Sequence, residues 1–274
     1  FETLVEKLQE VLPDLGQKLA GDSKALASAG KSTTKEKDGR RETDADFGKK
    51  EYKGTRTDGT LWTKVIKWFG FKLHLIVDAQ YELPLAYRVT RASAADTSEI
   101  RPLMAALHEK HEQLVTRSEY MFLDRGYDST KNNRILYDTY GIKPLIDIRH
   151  DWKDGEATRL LDPEALDRIV YDQDGTLFCV HTSAKDARVT EITPLYFDGF
   201  ETDRNTLKYR CPAAVYGYDC PEREQCGAST YGRVVRVPLE LDRRRFVPVP
   251  RATLKWERLY AMRTSVERVN SRLD

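Results

Sequence analysis

Residues 256 to 273 read WERLYAMRTSVERVNSRL, and Leu259, Met262, Val266, Val269 and Leu273 recur there at helical spacing. A second stripe, Tyr260, Arg263, Glu267 and Asn270, runs beside them. Glu267 thus falls at the seam between a buried and an open face, where a carboxylate is held rigidly and still reaches a metal ion. Upstream the periodicity changes. Phe1, Leu4, Val5, Leu8, Val11 and Leu12 predict an amphipathic helix closed by Pro13 and Gly16. A short strand then leads to Asp22. Residues 30 to 67 are polar, charged and dotted with glycine, which predicts a long loop lying over a site or along a polyanion. FGFKLHLIVDA (69 to 79) and LPLAYRVTRA (83 to 92) predict a hairpin turning at residues 80 to 82. Asp96 or Thr97 is positioned to cap a helix running to about Glu112. The apolar run 121 to 123 ends at Asp124, Gly126 turns the chain into a helix capped by Asp128 or Ser129, and a strand follows at 144 to 148.

This order predicts an α/β fold. Residues 150 to 250 have a different texture: short β-rich pieces at 176 to 181 and 233 to 239, four cysteines, and an exit through Pro248 and Pro250. The expected organisation is an N-terminal helix at 1–16 that ends a missing segment, the first part of the core at 17–149, a β-rich insertion at 150–250, and a C-terminal helix at 251–274 that completes the core. Ligands of open α/β sheets gather beyond the carboxyl ends of strands. Asp22 and Asp124 stand there if their strands are neighbours. Asp22, Asp124 and Glu267 together have the chemistry to hold two divalent ions roughly 4 Å apart, as phosphodiester cleavage requires. Each also reads as an ordinary strand-end or helix-surface acid, and Asp44 and Asp46 are alternatives to Asp22.

At 274 residues, 40% hydrophobic and 10% aromatic, the chain can bury one large core or two smaller ones, which excludes disorder throughout. No apolar run approaches the roughly 18 residues that span a bilayer, and no signal peptide is visible, so the expected compartment is the cytoplasm. Position 1 is Phe, and a fragment of a longer protein is expected. Net charge is only +1, yet residues 230 to 274 hold eleven Lys and Arg against five acids, and residues 31 to 72 hold twelve against seven. Such stretches suit a polyanion or a solvated face. Trp62, Trp68 and Tyr127 read either as base-stacking or as packing residues. Cys211, Cys220 and Cys226, with Cys179 or His181 as fourth ligand, form a candidate structural zinc set or four unlinked thiols.

GDSKALASAGK, the stretch from DADFGKKEYKG to RASAADT, the strand MFLDRGYDS and the terminal KWERLYAMRTSVERVNSRLD resemble the catalytic region of DDE-type bacterial insertion-sequence transposases over nearly the whole chain. The resemblance implies a ribonuclease H-like mixed sheet flanked by helices and interrupted by a β-rich insertion. It implies that Asp22, Asp124 and Glu267 bind Mg2+, with Mn2+ able to substitute, and that Tyr260, Arg263 and Glu267 form the family's Tyr, Arg, Glu signature. The activity implied is metal-dependent nicking at transposon ends and strand transfer into target DNA, by a homodimer in a synaptic complex within the bacterial nucleoid. A catalytically silent, truncated DNA-binding remnant and another ribonuclease H-like nuclease are the alternatives. Where the signature often continues with Lys seven residues after Glu, this chain has Asp274, so DNA contact is expected from Arg263, Tyr260, Arg268 and Arg272. Only a helix precedes Asp22, and recognition of transposon ends is expected to lie outside this chain.

Overall fold

The computed structural model describes residues 1–30, 44–164, 168–186, 188–226 and 229–273. In chain order the elements are α1 (Glu2–Val11), β1 (Lys18–Ala27), β2 (Asp46–Thr55), β3 (Leu61–Asp78), β4 (Leu83–Arg91), α2 (Asp96–Lys110), α3 (Glu112–Arg117) and β5 (Tyr120–Leu123). Then come α4 (Thr130–Arg134), β6 (Lys143–Ile146), β7 (Arg159–Leu160), β8 (Ile169–Tyr171), β9 (Leu177–Thr182), β10 (Thr190–Pro194), β11 (Tyr196–Glu201) and β12 (Thr206–Arg210). The chain ends with α5 (Pro212–Tyr216), α6 (Arg223–Cys226), β13 (Val234–Pro238), α7 (Leu254–Tyr260) and α8 (Thr264–Arg272). Two compact units result: one from Phe1–Tyr127, Tyr140–Ile142 and Met262–Asp274, the other from Asp128–Thr139 and Lys143–Ala261.

The first unit is built on a mixed sheet. Its strands run in the order β2, β3, β1, β5, with β4 also paired to β3. β1 and β5 are parallel and the other pairs antiparallel. Side chains alternate across a strand, and β1 shows which helix covers which face. A Cβ on Gly21 would meet Leu123 at 2.7 Å and Ile100 of α2 at 3.5 Å, whereas Asp22, on the opposite face, receives the side chain of Asn270 from α8. The helices therefore flank the sheet. Ile100, Leu103, Met104 and Leu107 of α2 and Val266 and Val269 of α8 are buried. This is a ribonuclease H-like α/β arrangement.

The predicted hairpin forms as β3 and β4, but β3 is far longer than its apolar run. Residues 46–55 and 61–70 pair as a two-stranded ribbon, up to residue 67 in a stretch where the sequence predicts loop; residues 31–43 of that predicted loop lie outside the described residues. The reason is solvation. Leu61–Lys67 is exposed on both faces, so no apolar alternation marks it as strand. The helix predicted after Asp96 starts with Ala95 as N-cap. Asp96 instead pairs with Lys72 at 3.0 Å, and the Thr97 hydroxyl donates to the Gly126 carbonyl at 2.7 Å. Ser129 caps α4 as predicted, its hydroxyl accepting from the Asn132 amide at 3.1 Å. The predicted single helix over 256–273 is divided into α7, a 3-10 turn at Ala261–Arg263, and α8. The division falls where the chain passes from the second unit to the first.

The second unit holds two antiparallel sheets, β10-β9-β8-β7 and β11-β12-β13. They enclose a core of Ile169, Leu177, Leu207, Tyr209, Val235, Val237, Leu239 and Phe246. Arg244 joins buried Asp128 at 2.6 Å to Asp151 at 2.5 Å. Arg251 donates to the Ile146 carbonyl at 2.8 Å, and burial pulls its guanidinium below the usual arginine range.

Asp78, fully buried at the end of β3, ties the first unit together. Its carboxylate accepts from the amides of Gly16 at 2.7 Å, Gln80 at 2.8 Å and Tyr81 at 2.6 Å. Removing an acceptor shared by three amides leaves donors without partners. Asp78→Ala is expected to lower the unfolding free energy by about 3 kcal/mol while Asp78→Asn loses less, read from urea denaturation; equal stability of Asp78→Ala and wild type would refute the anchor.

Candidate active site

The parallel register pairs Gly21 with Leu123, so the next residues, Asp22 and Asp124, stand side by side. Asp124 is fixed by the turn after it. Its carboxylate accepts from the Gly126 amide at 2.7 Å, and a Cβ on Gly126 would stand 2.7 Å from the same oxygen. The Tyr127 amide donates to the Asp124 carbonyl at 3.1 Å, closing the 3-10 turn Arg125–Tyr127. Tyr127 is 2% exposed and shares a hydrogen bond with buried Ser23. It is a packing residue.

Asp22 lies midway along β1 rather than at its end. Burial pushes its carboxyl up to about 6; the Asp124 charge adds to the rise, while Lys50 and Arg263 oppose it. The Asn270 amide lies 3.4 Å from Asp22, and Lys24 donates to the Asn270 carbonyl at 2.7 Å. These contacts hold α8 against β1. Glu267, nearly one turn before Asn270, shares an open groove with Asp22, Lys24, Lys50, Trp68 and Asn270. Its exposed carboxylate pairs with Arg263 at 2.8 Å. Arg263 therefore binds one acid of the expected triad and acts electrostatically on another.

The remaining predicted residues are distributed differently. Arg268 and Arg272 both pair with Glu82, which holds that carboxyl below its usual range. Tyr260, at the end of α7, stacks on Trp256 with ring centroids 4.3 Å apart. Asp46 accepts from the Ser93 amide at 2.8 Å and Asp44 pairs with Arg91 at 3.6 Å, so both alternatives to Asp22 are engaged elsewhere. Asp274 lies outside the described residues. Asn270 and Lys24 also line the groove, beyond the site residues expected from the sequence. The signal for Asn270 was present: it follows Glu267 by three residues, hence on the same helix face.

Cys179, Cys211, Cys220 and Cys226 are free, half-buried thiols of the second unit. Burial, followed by the nearby Cys226, Cys211 and Cys220, pushes Cys179 up to about 12. His181 spends its ring nitrogens on the Thr182 carbonyl at 3.0 Å and the Thr193 hydroxyl at 2.9 Å. Among the described residues no three His, Cys, Asp or Glu side chains stand as a formed metal cage. For Asp22, Asp124 and Glu267 the donor set itself fits a hard divalent ion: oxygen ligands only, with the Asp22 carboxyl raised by burial and, to a lesser extent, by the Asp124 charge, both of which a bound cation would offset.

The profile of the family described as Transposase DDE domain matches residues 27–274. The chain belongs to the DDE transposase family. That family implies a polynucleotidyl-transferase type of activity on DNA, supported in its members by divalent metal ions. The matched span contains Asp124 and Glu267, and Asp22 lies upstream of it. No curated protein and no solved structure matches the chain. Among the described residues of this transposase no helix is long and apolar enough to cross a membrane.

The raised pKa gives a prediction about the transposase without metal. Asp22 has a reference value of 3.8 and a folded value of about 6, so the fold favours its neutral form. Ionised Asp22 thus destabilises the folded state progressively as pH rises from about 4 through 6, and fully above that. Asp22→Asn is expected to be more stable than wild type at pH 7 in chelator, by at most about 3 kcal/mol, with the difference vanishing near pH 4. Thermal unfolding across that range measures it, and a pH-independent difference would contradict the assignment.

Proposed function

We propose that this domain cleaves DNA at transposon ends and joins the freed 3′ end to target DNA, with Asp22, Asp124 and Glu267 as the carboxylates that hold divalent metal, Mg2+ with Mn2+ as substitute. The observation that carries the reading is the register that sets Asp22 of β1 beside Asp124, the residue that follows the parallel strand β5, with Glu267 of α8 sharing a groove with Asp22, in a chain of this family. The substrate is double-stranded DNA, and the working form is a homodimer that pairs two ends.

In the first step a water oxygen forms a bond to phosphorus, the bond to the 3′-oxygen breaks, and the 3′-oxygen takes up a proton. In the second step that 3′-hydroxyl attacks a phosphodiester of the target and releases another 3′-oxygen. The bound metal supplies charge neutralisation at the attacking and leaving oxygens. The chain's own residues position the participants. Asn270 orients Asp22, the Gly126 amide fixes one oxygen of Asp124, and Arg263 holds Glu267 until ligands compete for it. Lys24 and Lys50 line the groove where phosphate enters; a lysine there attracts a phosphodiester as a point charge. Arg268 and Arg272 serve the helix through Glu82.

Nicking and joining of supercoiled plasmid DNA in Mg2+ tests the reading. Wild type is expected to nick, with loss of about 100-fold or more in Asp124→Asn and Glu267→Gln and intact DNA binding in both. Equal rates in wild type and Glu267→Gln would overturn the triad.

A further inference from the structure

The two-stranded ribbon is unexplained by the fold. β1 pairs with β3 over residues 70 to 78 and β4 pairs with it over 71 to 78, whereas β2 pairs with residues 61 to 70. The outer half of β3 therefore has β2 as its sole partner among the described residues. A lone hairpin adds little stability of its own, and this one keeps Leu61, Trp62, Val65 and Ile66 exposed. Its base lines the active-site groove: Lys50, Ile66 and Trp68 share that groove with Asp22 and Glu267.

The register sorts the ribbon into two faces, because directly opposed residues lie on the same side. Gly54 opposes Trp62, Lys50 opposes Ile66 and Gly48 opposes Trp68, and Lys64 falls on this face by alternation. Both tryptophans oppose glycine, and the indoles occupy the space a Cβ would need: Trp62 over Gly54 and Trp68 over Gly48. Each ring lies on bare backbone. Trp68 is pinned further by its indole N–H, which donates to the Phe71 carbonyl at 3.0 Å. Trp62 is 36% exposed. The two rings are six residues apart, about 20 Å along the strand. A protein partner would be served by the other face, where Phe47, Leu61 and Val65 are exposed.

We infer that the ribbon is a stacking platform for unpaired nucleotides of the DNA strand entering the active site, with Trp62 and Trp68 meeting bases and Lys50 and Lys64 meeting phosphates. Flat aromatic rings alternating with lysines suit a strand whose base faces are open, which a paired duplex does not offer. The inference rests on the proposed transposase reading, and names where the strand lies.

The test uses the whole chain without divalent metal, and fluorescence anisotropy of three labelled probes: a single strand, a blunt duplex, and a duplex with an unpaired tail of about six nucleotides. Trp62→Ala is expected to bind the single strand and the tailed duplex about tenfold more weakly than wild type. The blunt duplex should be held equally by both proteins, and Trp62→Phe should keep most of the tail-dependent affinity. Unchanged thermal unfolding shows that the variant folds. The inference is overturned if Trp62→Ala binds the tail as wild type does, if affinity falls equally for all three probes, or if the variant changes oligomeric state and leaves DNA affinity alone. Those failures leave the plasmid-nicking result with Glu267→Gln untouched. Absence of DNA binding by wild type would sink both readings together.

Discussion

The juxtaposition of Asp22 and Asp124 depends on how closely β1 and β5 approach. The two strands are parallel, and at Gly21 a side chain would collide with Leu123. Glycine there lets α2 close over the sheet with Ile100 and Leu123 filling the space, and the next residue on each strand is an aspartate. Parallel register brings Asp22 and Asp124 together just past the last pair, Gly21 and Leu123; a slip by one residue would turn one of the two onto the opposite face. Burial makes the ionised form of Asp22 costly and raises its pKa, and the Asp124 charge beside it adds to that cost.

Two devices outside the pair offset the charge. Arg263 pairs with Glu267 and its field favours ionised Asp22, while Lys50 acts on Asp22 from the ribbon. The helix carrying Glu267 is anchored independently, through Val266 and Val269 in the core and through Arg268 and Arg272 on Glu82. Exposed ion pairs are weak singly, but two guanidinium groups converging on one carboxylate fix orientation more than either does alone. The division of labour along α8 follows helix geometry. Residues 266 and 269 pack, 267 and 270 face Asp22 and its groove, and 268 and 272 tether.

Most of this was legible in the chain because it is written in short-range terms. The apolar run before Asp124, the glycine two residues later and the serine cap at 129 identify strand, turn and helix start from local chemistry. The stripe containing Val266 and Val269 identifies the buried side of α8. The ribbon was not legible: with both faces in solvent its alternation carries no hydrophobic contrast, and lysine and glycine at every few positions read as loop. The break between α7 and α8 was equally hidden. Residues 256 to 273 keep helical spacing throughout, and what divides them is that their two halves join different packed units, which periodicity does not encode.

The position of the ribbon relative to the acids is set by the one strand that belongs to both. β3 pairs with Asp22 through Leu75 and with β2 through residues 61 to 70, so a continuous hydrogen-bonded strand links the partner of Asp22 to Trp68 and Trp62. The junction is Gly70, at φ +148, a conformation that side chains rarely adopt and where a Cβ would run into the Leu26 carbonyl and the Ser28 amide. Glycine at that point lets β3 leave the crowded sheet and continue as an exposed ribbon without a break in the chain. The same constraint explains Gly48 and Gly54, which give up side chains so that indoles can lie flat on the partner strand. Three glycines thus serve one geometric end, an aromatic surface that begins at the groove lined by Asp22 and Glu267.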